Sequence, residues 1–170
     1  VYVAEQLLAS VSLGLLKNPE GFGFPGSRNL QQYASAHNTE IIANTGMHWG
    51  VVAALIAVIF SHVLFTRHRL GFAIRVTGEA PRAARFGGVN PRQIILFCLG
   101  MSGVLAGLAG MFEVAGPAGQ ISIDFNVGYG FTAIIVAFLG RLNPIGIVFA
   151  SLLMALTYIG GDIAQSQLGL

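Results

Sequence analysis

Several short motifs in this sequence could carry chemistry. GFGFPG, Gly21 to Gly26, has the spacing of a dinucleotide-binding loop. That chemistry needs a strand before the motif and a helix opening on its last glycines, so that backbone N–H groups hold a pyrophosphate. Pro25 stands inside the motif, and the surrounding residues 17–46 read as a polar loop, so no nucleotide site is expected. GMSG, Gly100 to Gly103, places a serine in an apolar helix. A serine nucleophile needs a base within hydrogen-bond reach. All four histidines (His37, His48, His62 and His68) precede Ser102, which is expected to bond back to its own helix or to line an interface. No GxxxxGK[ST] occurs, so the chain carries no Walker-type ATP site. Cys98 is the one cysteine, and no His/Cys cluster has metal-ligand spacing. No catalytic residue, metal or cofactor is therefore expected, nor a nucleic-acid partner.

The elements that would position such residues belong to a membrane protein. Hydrophobic residues make up 54% of the chain and charged residues 9%, against roughly 25% charged in soluble domains. Mean hydropathy is +0.71. The apolar residues come in blocks separated by polar connections, which predicts an all-α, polytopic transmembrane bundle. Residues 1–16 read as the end of a membrane segment, and spans are expected at 47–66, 93–114, 126–140 and 145–160. Twenty residues at 1.5 Å rise cover roughly 30 Å of hydrocarbon. The segment 126–140 is short for that and reads as short or partly re-entrant, broken by GRLNP at Gly140–Pro144. Asn90-Pro91 is a strong helix start, with Asn as cap and Pro at the first position. Trp49 stands at one end of its span, where an aromatic ring anchors at the interface. No convincing internal repeat is visible, and the chain reads as a piece of a longer protein.

Charge orients the spans. Arg67, Arg69, Arg75, Arg82, Arg85 and Arg92 face a single acid, Glu79, in the loop 67–92. The positive-inside rule makes that loop cytoplasmic, and the alternation of spans then puts Arg141 on the same side, as the rule would have it. Residues 17–46 and 115–128 then lie outside. Gly100, Gly103, Gly107 and Gly110 recur at spacings of three, four and three, a face that lets helices pack closely in lipid. Glu113, Asp124, Asn126 and Tyr129 gather where the outer connection turns back into the membrane. They either line a translocation pathway or cap helix ends in interfacial water.

The segment RVTGEAPRAARFGGVNPRQ, Arg75 to Gln93, carries a short helix over 79–87. Thr77 or Gly78 would cap it, Glu79 would sit in its first turn, and Gly87-Gly88 would end it. Ala80, Ala83, Ala84 and Gly87 fall on one small-residue face. Such a helix suits a groove on another protein, while its arginines also suit anionic lipid headgroups.

The order of these residues resembles the cytoplasmic coupling segment of permease subunits of bacterial ABC importers. The likeness is to the branched-chain amino acid, simple sugar and nucleoside permease family. It rests on Arg75, Gly78, Glu79, Ala83, Ala84, Gly88 and Asn90, and continues through SGVLAGLAG (Ser102–Gly110) and GYGFTAIIVAFLGRLNPIGI (Gly128–Ile147). The last stretch looks like the sugar and purine-nucleoside subgroup. The resemblance implies a multi-pass permease domain in the bacterial inner membrane, here lacking N-terminal spans. It implies a separate cytoplasmic ATPase contacted through Gly78, Glu79, Ala83, Ala84 and Gly88. It also implies an extracytoplasmic substrate-binding protein and a second permease subunit. Glu113, Asn126 and Tyr129 become the expected pathway residues. The competing reading is a secondary transporter or channel subunit driven by an ion gradient.

Overall fold

A computed structural model of the chain describes residues 2–19, 26–33, 35–42, 45–121 and 128–168. They form seven α-helices: α1 (Tyr2–Leu13), α2 (Trp49–Arg67), α3 (Arg69–Glu79), α4 (Pro81–Phe86), α5 (Pro91–Ala115), α6 (Tyr129–Leu139) and α7 (Pro144–Leu168). A small antiparallel hairpin of β1 (Glu40–Ile42) and β2 (Met47–His48) leads directly into α2. The expected helical class holds. Helices α2, α5 and α7 are long and apolar enough to cross a membrane. Helix α6 has 11 residues, about 16 Å at 1.5 Å per residue, and falls short of a bilayer core.

Two helix starts share one chemistry. The Asn90 side-chain oxygen accepts from Arg92 N at 3.1 Å, and that of Asn143 accepts from Ile145 N at 3.0 Å. A proline follows each asparagine at the first helical position, where its missing N–H costs nothing. Asn90→Ala and Asn143→Ala should each lower stability by about 1 kcal/mol. A fall in the thermal midpoint of the purified protein would show this. Helix α7 runs to Leu168, beyond the expected end at 160. Gly160 and Gly161 cost about 1 kcal/mol each in helix propensity. The helix continues through them, and Ser166 Oγ donates back to Ile163 O at 2.9 Å.

The chain divides into two compact units, Val1–Ala54 with Ile95–Val127, and Leu55–Ile94 with Gly128–Leu170. In the first unit, the polar segment after α1 is stitched to the connection after α5. Ser27 N donates to Ile121 O and Ile121 N to Ser27 Oγ, both at 2.9 Å. Leu30 N donates to Gly119 O at 2.7 Å, Gln31 Nε2 to Gly116 O at 3.0 Å, and Asn38 N to Ala115 O at 2.9 Å. These are the two segments that charge assigns to one side of the membrane. Of GFGFPG, Gly21–Pro25 lie outside the described residues. Gly26 accepts from Asn18 N in a bridging stretch, where no helix opens.

In the second unit, α3 packs on α4 and α6 on α7. Helix α3 was not anticipated, since 67–92 reads as a loop with one short helix. His68 caps it, Nδ1 accepting from Leu70 N at 3.2 Å, and leaves a one-residue corner after α2.

Candidate functional site

The arginine-rich segment folds as two helices meeting at Ala80. Pro81 disfavours helical backbone at the residue before it. Ala80 accordingly takes φ −144° and ψ 77°, ending α3 and preceding α4. This corrects the expected helix over 79–87. Glu79 is the last residue of α3, at the carbonyl end, where the helix dipole does not favour an acid. Gly78 is an exposed residue inside α3 and caps nothing. Thr77 is buried, and its hydroxyl has no hydrogen-bond partner among the described residues.

Helix α4, PRAARF, begins at Pro81 without a side-chain cap. The expected small face divides. Ala84 is 1% exposed, while Ala80, Ala83 and Gly87 are exposed. Helix α3 packs on α4, and that neighbour was absent from the sequence reading. The outward side carries Arg82, Ala83, Arg85 and Phe86, the last 93% exposed. Sequence reasoning missed Phe86. Its signal is a large aromatic beside arginines in a segment that charge keeps out of the bilayer.

A well-defined turn ends α4. Gly88 N donates to Arg85 O at 3.1 Å and Val89 N to Ala84 O at 2.9 Å, with Gly88 at φ +79°. This is the Schellman arrangement, which ties off the last carbonyls. Gly88 thus has a structural duty, since a left-handed residue is easiest as glycine.

The same turn recurs between α6 and α7. Arg141 N donates to Phe138 O and Leu142 N to Ala137 O, both at 2.9 Å. The caps match too, Gly87 at φ −77°, ψ 7° and Gly140 at φ −75°, ψ 6°. FGGVNP and LGRLNP are thus one connector built twice, where no repeat was expected. The second copy differs in one respect: Arg141 and Leu142 are both left-handed, at φ 54° and 55°. For L-residues other than glycine and asparagine this costs roughly 1–2 kcal/mol each.

The remaining candidates are placed as follows. Glu113 is half-buried in the last turn of α5, in the first unit. Tyr129 opens α6 in the second unit and is 57% exposed. Asn126 and Asp124 lie outside the described residues. Thr132 Oγ1 and Tyr158 OH meet at 3.1 Å across α6 and α7, a pair not foreseen. At Gly100, Gly103, Gly107 and Gly110 an added Cβ would meet no atom of the described residues within 4 Å. Among the described residues no group of three His, Cys, Asp or Glu could hold a metal.

Residues 5–169 match the family described as branched-chain amino acid transport system / permease component. The chain is 31% identical to a glucose ABC transporter permease protein of Haloferax volcanii over 99% of its own length and 46% of the relative's. It is 32% identical to a nucleoside ABC transporter permease protein of Lactococcus lactis over 69% of its length and 32% of the relative's. It is 31% identical to a guanosine ABC transporter permease protein of Bacillus subtilis over 67% of its length and 33% of the relative's. These names agree with the sugar and nucleoside subgroup expected from the sequence. The chain spans less than half the length of each of these relatives. No solved structure matches it.

Proposed function

This chain belongs to the family of branched-chain amino acid transport system permease components, and we propose that it forms part of the membrane subunit of an ATP-driven importer for a nucleoside or simple sugar. It works in the plasma membrane with a cytoplasmic ATPase, an extracytoplasmic binding protein and a second permease subunit. ATP is hydrolysed on the ATPase, and the permease converts closure of that partner into alternating access. Glu113, Asn126 and Tyr129 line the pathway in this reading, and the glycine face of α5 packs against spans outside this chain.

The observation that carries the proposal is the outward side of α4. A six-residue helix presents Arg82, Ala83, Arg85 and Phe86 to solvent. The helix is braced on α3 behind and ended by a hydrogen-bonded turn. A short, rigid, basic helix with one apolar knob fits an acid-rimmed groove in a protein. The relatives named as sugar and nucleoside permeases support the substrate class.

Ala83 gives the cleaner test, since Ala84 is needed inside the unit. In the assembled importer, Ala83→Glu should cut uptake about tenfold or more, because an unpaired charge in a docked interface costs several kcal/mol. The level of permease in the membrane should not change. Unchanged uptake would remove the docking role of α4. Uptake that follows a proton or sodium gradient without ATP would favour the secondary transporter instead.

A further inference from the structure

The repeated connector carries an inference about a second part of the surface. In the first copy the left-handed position is Gly88, where no side chain is presented and no conformational energy is lost. In the second copy the equivalent residue is Arg141, and Leu142 after it is also left-handed. Every hydrogen bond of the connector is backbone to backbone or to the capping asparagine. None of them needs a side chain at 141 or 142. The turn would therefore form at lower cost with glycine or asparagine there. What arginine and leucine add lies outside the turn: Arg141 is exposed and Leu142 is 68% exposed. Neither side chain has a hydrogen bond or ion pair with another described residue.

The side of the membrane follows from α7. Its apolar stretch starts at Ile145, one residue after Pro144. Arg141 and Asn143 therefore stand at the interface where α7 begins, not at depth, because an exposed arginine at the bilayer centre is costly. The alternation of spans from the arginine-rich segment makes this the cytoplasmic interface, as for α4.

We propose that Arg141 and Leu142 form a second contact for the cytoplasmic ATPase, presented by the same connector that ends α4 but through side chains instead of a helix. The inference rests on the reading of α4 as the ATPase contact. Charge selects the class of partner: Arg141 beside the exposed Leu142 suits an acidic surface with an apolar recess, as Arg85 beside Phe86 does. Fluid lipid headgroups also bind arginine, but they gain nothing from a side chain held in one direction. A backbone held in a costly conformation at an exposed turn points to a structured surface that uses the fixed direction.

The test is the double variant Arg141→Asn/Leu142→Asn in the assembled importer, with Ala83→Glu beside it. Asparagine accepts positive φ, so the turn is kept while both contact groups are lost. The thermal midpoint and membrane level of the permease should stay at wild-type values or rise. ATPase recovered with the permease, and uptake, should fall about tenfold, the size of one lost interface anchor. Wild-type recovery and uptake in the double variant, with recovery lost in Ala83→Glu, would overturn this inference alone. Wild-type recovery in both variants would overturn the ATPase reading of α4 as well. A lowered midpoint would make the pair a packing element of the turn and overturn the contact. So would loss of binding to vesicles of anionic lipid with ATPase recovery intact.

Discussion

Gly146→Leu is expected to dismantle the α6–α7 hairpin and abolish uptake. The turn brings the start of α7 onto the end of α6 so closely that two backbones touch without side chains between them. A Cβ on Gly146 would overlap the carbonyl oxygen of Gly140 and lie 3.1 Å from its carbon. A Cβ on Gly140 would lie 2.6 Å from Ile147 N and 2.7 Å from Ile147 Cα. These are backbone atoms, held by the bonds from Gly140 N to Val136 O and from Ile147 N to Asn143 O, each 2.9 Å. Neither can yield without opening the turn. Overpacking costs typically 1–3 kcal/mol, occasionally more. Alanine should reach the top of that range and leucine exceed it. Gly160→Ala in the same helix is the control. Its Cβ would meet no atom within 4 Å, so it should be neutral or up to about 1 kcal/mol more stable. Thermal unfolding of the purified protein separates the two. Equal midpoints for Gly146→Leu and wild type would show that the close approach does not hold the hairpin.

Parts of this architecture were legible because they obey one-dimensional rules. Apolar blocks became α2, α5 and α7, and Asn90-Pro91 became the capped helix start expected of it; Asn143-Pro144, read only as part of a break, is a second such start. Other parts depend on neighbours that a pattern cannot supply. The spacing of Ala80, Ala83, Ala84 and Gly87 defines a face but not what covers it. Ala84 turned out to be buried, while Ala80, Ala83 and Gly87 are exposed. Arg69, Arg75 and Glu79 put α3 in a segment that charge assigns to the cytoplasm, where charge is no obstacle to a helix. The boundary at Ala80 is legible from Pro81 alone, since a residue before proline avoids helical backbone. The connector repeat shares only Gly, Asn and Pro across six positions. It becomes visible through its hydrogen bonds and cap angles. The strain at Arg141 and Leu142 has no sequence signal, because neither residue type marks a left-handed turn.

The second large effect is expected at Gly71, where α3 leaves α2. His68 alone separates the two helices, and the first turn of α3 lies against the last turns of α2. A Cβ on Gly71 would overlap the carbonyl oxygen of Leu64 and lie 2.7 Å from Phe65 Cα. Gly71→Val must therefore open the corner, at a cost on the order of 3 kcal/mol. The consequence for transport differs from that of the α4 variants. The outward residues of α4 and their bracing on α3 are untouched, so the ATPase should still be recovered with the permease. In the proposed reading, what is lost is the fixed angle by which motion of α3 and α4 would be passed to α2, since coupling needs a rigid link between the moving contact and the span it drives. Gly71→Val should accordingly give a lower thermal midpoint, near-normal ATPase recovery and uptake reduced more than tenfold, as expected for about 1.4 kcal/mol or more of lost coupling. Gly71→Ala should show the same pattern in weaker form. Wild-type uptake in Gly71→Val would mean that the corner is free to open during transport. Coupling would then have to reach the membrane through α4 and α5, across the turn that Gly88 and Asn90 hold.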